Sequence, residues 1–178
     1  FPLVQEPKEW VTQISLPQKM LKNLLGMVHF SMAQQDLRYY LNGVLLVIES
    51  ACVRAVATDG HRLAYADAPG QGGTAKHEVI IPRKTVLELS RLLNDTDDTV
   101  TIDLASNQAK FTFSDITLIT KLVEGKFPDY QRVIPKTHQH HVVISREALL
   151  HSLQRASILT SDKFRGIRWV LGANGLTI

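Results

Sequence analysis

A pattern that begins again after residue 135 constrains this chain more than any other feature of it. Near the start, Gln13-Ile14-Ser15 leads into Leu16, Met20, Leu24 and Val28 at helical spacing, with Leu21 and Leu25 beside them. Later, His141-Val142-Val143-Ile144-Ser145 reads as a strand ending in a cap residue, and Leu149, Leu150 and Leu153 fall on Met20, Leu21 and Leu24 at a constant offset. Gly166 to Leu171 matches Gly43 to Ile48, and Leu176-Thr177-Ile178 falls on Val53-Arg54-Ala55. Weak identity in a consistent order of elements is how an internal repeat shows itself. The first copy runs from about Trp10 to Lys126, and the second reaches Ile178 inside a strand. A strand–helix–two-strand piece leaves an apolar face and a sheet edge uncovered. The native chain is therefore expected to continue past Ile178, and this piece to self-associate through its second copy.

Within the first copy, Trp10 to Ser15 reads as a strand and Ser15-Leu16-Pro17-Gln18 fits a capping box. The helix that follows carries Gln18, Lys19, Lys22, Asn23 and His29 outward. Leu37 to Leu41, Gly43 to Ile48, Val53 to Ala57 and Arg62 to Ala66 read as strands, the last two joined by a tight turn at Thr58 to Leu63. Asp59-Gly60 is the turn signal, because glycine accepts positive φ without steric cost. Ala68 to Thr74 reads as a loop. A second helix that starts near Pro82 has Val86, Leu89 and Leu93 inward and Arg83, Lys84, Glu88 and Arg91 outward. After an acidic turn at Asn94 to Asp98 come three short strands, Val100 to Leu104, Ala109 to Phe113 and Ile116 to Leu122. Gly125 to Pro135 is extended and proline-bracketed, and should lie along a surface as a strap.

Composition narrows the function classes only a little. With 178 residues and 44% hydrophobic content the chain can bury at least one core. A net charge of +3 is compatible with a polyanion partner. The one cysteine, Cys52, excludes an intrachain disulfide framework, fits a reducing compartment and is expected to be a buried thiol. No apolar run is long enough to span a membrane. The start, Phe1-Pro2-Leu3-Val4, has neither methionine nor signal-peptide pattern, so the chain is expected to begin inside a longer protein. Asp59 and His61 could be read as a catalytic pair, but they share one turn, and no G-x-S-x-G, phosphate loop or paired-carboxylate motif accompanies them. His138, His140 and His141 lack a cysteine or acidic partner at ligand spacing, so they read as surface histidines. Tyr39, Tyr40 and Trp169 read as core or half-buried aromatics. No metal, cofactor or catalytic residue is expected.

Five segments together carry a family resemblance: Asp36 to Gly43, Ala57 to Ala64, Ile81 to Lys84, Lys121 to Tyr130, and Lys163 to Arg168. In order and spacing they resemble the bacterial DNA polymerase III beta subunit, the sliding clamp, over nearly the whole chain. The resemblance implies an α+β DNA-clamp fold, with antiparallel sheets and two helices per domain packed on one face. It implies a linker at residues 1–9, a middle domain at 10–134 and the truncated first part of a third domain at 135–178. It further implies a non-catalytic, cytoplasmic processivity factor, nucleoid-associated during replication. In the full-length protein this would form a homodimeric ring around duplex DNA, which this piece alone could not form.

Two surfaces follow from the resemblance. Lys19, Lys22, Arg83, Lys84 and Arg91 would face DNA from helices at Pro17 to Met32 and Pro82 to Asn94, and Gln35, Tyr39 and Tyr40 match the loop that touches DNA leaving the ring. Sliding needs attraction to phosphates without base readout. The second surface would be a pocket for short hydrophobic motifs of the polymerase alpha subunit, the clamp-loader delta subunit and other clamp-binding proteins. Its residues are Leu41, Thr58, Gly60, His61, Arg62, Leu63, Pro128, Arg132 and Val133, with Arg38 and Tyr40 toward a second subsite. Turn and strap would meet there, in a shallow apolar pocket with a basic rim. A protein-interaction module without DNA contact is the competing reading.

Overall fold

The computed structural model describes residues 7, 9–70, 75–160, 166–172 and 175–178, and it divides into one unit ending at Gln131 and another from Arg132 to Ile178. The first unit repeats one run of elements. Its first half is β1 (Thr12–Pro17), α1 (Gln18–Val28), β2 (Gly43–Ile48), β3 (Cys52–Thr58) and β4 (Leu63–Pro69). Its second half is β5 (His77–Pro82), α2 (Arg83–Leu92), β6 (Thr99–Leu104), β7 (Gln108–Phe113) and β8 (Ile116–Lys121). The halves exchange their first strands. β1 joins the edge of β6-β7-β8, and β5 joins the edge of β2-β3-β4, every pairing antiparallel. No expectation from the sequence placed β5 or this smaller repeat.

Both helices start at a proline in extended conformation, Pro17 at φ −61° and Pro82 at φ −59°, and neither has a side-chain cap. Backbone from the opposite half supplies acceptors for α1: the Gln18 and Lys19 amides donate to the carbonyls of Asp98 and Thr96 at 2.8 and 3.0 Å. For α2, the Arg83 amide donates to the Asn42 carbonyl at 2.9 Å. The capping box expected at Ser15 is not formed. Proline keeps the residues before it extended, so Ser15 stays in β1, where its hydroxyl meets that of Thr101 at 3.3 Å. Gln18, expected outward, is fully buried and accepts from the Asn94 amide at 3.0 Å. α1 ends at Val28, earlier than expected, and a 3-10 turn follows at His29–Ser31.

The main core joins Leu21, Leu24, Leu25 and Val28 of α1 to Val86 and Leu89 of α2 and the Leu93 that follows it. Val44, Leu46 and Ile48 of β2 and Ile102, Phe111 and Phe113 of the other sheet complete it. The alternate residues of β2, Leu45 and Val47, point the other way. They enter a second cluster with Val56, Ile80, Ala33, Leu41, Phe127 and Tyr130. All six residues of β2 are thus buried, and the strand reads as an unbroken apolar run for that reason.

Residues 37–41 are not the expected strand. A 3-10 turn occupies Tyr39–Leu41, and Leu37 and Tyr39 stand in solvent. Side chains take over the bonds a ladder would make. Asn42 donates to the Asp36 carbonyl at 2.8 Å and accepts from the Asp36 amide at 3.0 Å. The Asp36 carboxylate takes the Arg38 amide at 2.8 Å and the Arg38 guanidinium at 3.0 and 2.8 Å. The Arg38 side chain and amide together lower the Asp36 carboxyl to about 2. Cys52, expected to be buried, is only partly so, with its thiol 3.7 Å from the Glu49 carboxylate.

In the second unit, α3 (Arg146–Ser157) is capped as expected by Ser145, whose hydroxyl accepts from the Ala148 amide at 3.4 Å. The strand expected at His141 to Ser145 is absent, since no strand lies alongside it among the described residues. The strand expected from Gly166 begins only at β9 (Val170–Gly172), which pairs with β10 (Gly175–Thr177). Trp169 is about half exposed, at 49%. Lys163, Phe164 and Arg165 lie outside the described residues, as do residues 71–74 of the expected loop, into which β4 extends as far as Pro69.

Two outcomes are expected. A Cβ at Gly43 would run into the Ile81 carbonyl of the neighbouring strand, so Gly43→Ala should cost about 1–3 kcal/mol in urea unfolding. An unchanged midpoint would show that β5 gives way freely. The depressed Asp36 carboxyl stabilises the fold above its ordinary value of 3.8, and that contribution fades as pH falls toward about 2. NMR titration should therefore find Asp36 still ionised at pH 3, and Arg38→Ala should move its midpoint up toward the ordinary value.

Candidate functional site

The Thr58–Leu63 turn is built from its own side chains. The Thr58 hydroxyl donates to the Arg62 carbonyl at 2.7 Å and accepts from the Gly60 amide at 3.1 Å. The Asp59 carboxylate accepts from the amides of His61 and Arg62 at 2.9 and 3.0 Å and from Arg62 Nε at 3.2 Å. Burial works to raise the Asp59 carboxyl, but those two amides and the guanidinium outweigh it and hold it below its usual value. Asp59 is thus engaged by the His61 backbone, not by the His61 ring. Gly60 has φ +87°, in the left-handed region, and a side chain there would press on the Arg38 guanidinium at 3.2 Å. Both facts explain why the turn uses Asp-Gly at these positions.

Leu63 leaves the turn half-buried and packs against the second cluster, which includes Phe127 and Tyr130 of the strap. Leu63 of the turn and Phe127 and Tyr130 of the strap thus belong to one apolar assembly. The strap is fastened just before it begins and in its first half. The Val123 amide donates to the Ile80 carbonyl at 2.9 Å, Gly125 turns at φ +115° beside the Tyr40 ring, and the Tyr130 hydroxyl accepts from Arg54 at 3.3 Å. Tyr130 also lies 6.0 Å from the Tyr65 ring, centroid to centroid. Around this contact Leu41 and Thr58 are buried, Tyr40 is half-buried, and Arg38, Gly60, His61, Arg62 and Pro128 are exposed. Arg62 donates through Nη2 to the Phe30 carbonyl at 2.7 Å. Phe30 is a neighbour that no motif had singled out, because it lies 32 residues away in sequence. Arg132 and Val133 belong to the second unit and are exposed. A cleft of about 410 Å³ also lies under the strap, lined by Leu45, Glu78, Ile80, Val123, Lys126 and Phe127, but no turn residue reaches it.

The helix surface is less uniformly positive than its sequence suggests. Lys19 is paired with Asp97 at 2.7 Å, and Arg91 with Glu88 one turn earlier. Lys22, Arg83 and Lys84 have no carboxylate partner among the described residues. α1 and α2 lie side by side and share the main core. Gln35 has φ 55° and is exposed with Tyr39, while Tyr40 turns inward toward the strap.

The family model for the DNA polymerase III beta subunit, central domain, matches residues 15–129. The beta sliding clamp of Pseudomonas putida is 46% identical over 180 aligned residues, covering 100% of this chain and 48% of that protein. The beta sliding clamp of Escherichia coli K12 is 42% identical and covers 96% of this chain and 47% of that protein. The crystal structure of a DNA polymerase sliding clamp from Pseudomonas aeruginosa with ligand superposes with a TM-score of 0.92 at 44% identity, over 99% of this chain and 48% of that one. The chain thus spans about half the length of the relatives it matches. The expected α+β clamp fold is the fold observed. With the family model matched across most of its length, this chain belongs to the DNA polymerase III beta subunit family, the bacterial sliding clamps.

Proposed function

We propose that this chain is part of a processivity factor of the bacterial replicative polymerase, a ring that slides on duplex DNA and tethers its partners by short hydrophobic peptides. In this reading residues 10–134 are the middle domain and residues 135–178 the start of the third. The protein is non-catalytic and cytoplasmic, and the ring is a homodimer of the full-length chain. Its partners are the polymerase alpha subunit, the clamp-loader delta subunit and other proteins with the same motif.

The observation that supports this best is the packing of Leu63 against the cluster of Phe127 and Tyr130, beneath a rim that carries Arg38, His61 and Arg62. Apolar anchors of a peptide would take the floor, and rim charge and backbone would fix its direction. Leu41, Tyr40, Thr58, Gly60 and Pro128 complete the surface, while Arg132 and Val133 enter the assignment through their place in the motif alone. DNA would pass the α1 and α2 face. Lys22, Arg83 and Lys84 supply charge there directly, and Lys19 and Arg91 would exchange a carboxylate for a phosphate. Gln35, Tyr39 and Tyr40 would touch the duplex where it emerges. Attraction to phosphate without a helix entering a groove leaves every register at similar energy.

Two measurements test the two surfaces. In the full-length protein, Leu63→Asp should weaken a peptide with leucine and phenylalanine anchors by about thirtyfold or more while leaving circular dichroism unchanged. Unaltered affinity in the folded variant removes Leu63 from the pocket. The 178-residue chain should bind duplex DNA weakly and release it as salt rises. Lys22→Glu with Lys84→Glu should lower that affinity and flatten the salt dependence by about one to two units of slope. Binding that ignores both salt and these charges would take the helix face out of the account.

A further inference from the structure

Phe30 is an aromatic held in solvent by buried neighbours. Val28, Ser31 and Met32 are buried, whereas Phe30 is 55% exposed. The His29–Ser31 turn closes with the Met32 amide donating to the His29 carbonyl at 3.2 Å, so the Phe30 backbone is fixed between anchored residues. What the ring meets is Arg62, whose guanidinium carbon lies 5.8 Å from the ring centroid. The same guanidinium donates through Nη2 to the Phe30 carbonyl at 2.7 Å and through Nε to Asp59 at 3.2 Å. A side chain as exposed as Arg62, at 59%, would otherwise sample many rotamers. Three contacts select one orientation, and two of them come from Phe30.

We propose that Phe30 is a positioning residue of the peptide pocket: its ring and carbonyl hold the Arg62 guanidinium at the rim, so that an acidic group flanking the apolar anchors of a peptide meets a charge already in place. The inference rests on the pocket reading above. Its physical content is preorganisation, since a charge fixed before binding loses less conformational freedom when the ligand arrives. Changing the side chain removes the ring contact and leaves the carbonyl. The expected loss is therefore that of one exposed cation–π contact, about two- to fivefold in affinity.

The test uses the full-length protein and two synthetic peptides with the same leucine and phenylalanine anchors, one flanked by aspartate and the other by asparagine. Phe30→Leu should weaken the aspartate peptide by about two- to fivefold and leave the asparagine peptide unchanged. Phe30→Trp, which keeps a ring face, should restore the preference. With Arg62→Ala already present, Phe30→Leu should have no further effect. Equal loss on both peptides, loss that persists without Arg62, or no loss at all would each overturn the positioning role. Failure of the unaltered protein to bind either peptide would instead overturn the pocket reading, and the inference with it.

Discussion

Strand β2 has no side that faces water, and the first unit depends on this. Val44, Leu46 and Ile48 enter the core beneath the helices, while Leu45 and Val47 enter the cluster beneath the strap. Burying an aliphatic side chain of this size contributes about 1.5–3 kcal/mol, so neither face of the strand can be stripped without a large loss. Both faces of the sheet must therefore be covered. α1 and α2 cover one, and the segments carrying Leu41, Phe127 and Tyr130 cover the other. The helix surface proposed for DNA and the surface proposed for peptides belong to coverings on opposite faces of one sheet.

The exchange of first strands binds the halves of that unit to each other. β1 lies in the sheet of the second half and β5 in that of the first. For α1, the first-turn amides use carbonyls from the turn before β6. Neither half can close its sheet or start its helix alone, which explains why proline serves at both helix starts without a side-chain cap. The site turn has the opposite logic, because Thr58 and Asp59 satisfy it locally. A locally satisfied turn can present His61 and Arg62 outward without drawing on the core.

What could be read from the sequence follows from the range of the interactions involved. Helical spacing suffices for α1 and α2, because Leu21, Leu24, Leu25, Val86 and Leu89 repeat on one face. Alternation and turn residues suffice for β3, for β6 to β8 and for the Asp59-Gly60 turn. Contacts distant in sequence decide the rest. Gln18 is polar and looked outward, yet Asn94 from the other half draws it inside. Tyr39-Tyr40 is rich in strand formers, yet Asp36 and Asn42 bond the segment into a loop. His141 to Ser145 has the composition of a strand and nothing beside it to pair with among the described residues. In the candidate site, Leu63 packs against the cluster that holds Phe127 and Tyr130, a neighbourhood that was expected through the family resemblance. The Phe30 contact to Arg62 was not, since no local signal links residues so far apart.

The central claim is that the helix surface for DNA and the pocket for peptides sit on separate coverings of one sheet. It is tested most directly by mapping backbone amide shifts of the isotopically labelled protein, once with an anchor peptide and once with duplex DNA. The account predicts two separate sets. Peptide should move the amides of Thr58 to Leu63 and the strap around Phe127, with Tyr39 and Tyr40 left out of the comparison because they border both surfaces. DNA should move those around Lys22 in α1 and Lys84 in α2. One shared set of shifted residues, or a peptide response confined to the helices, would contradict it.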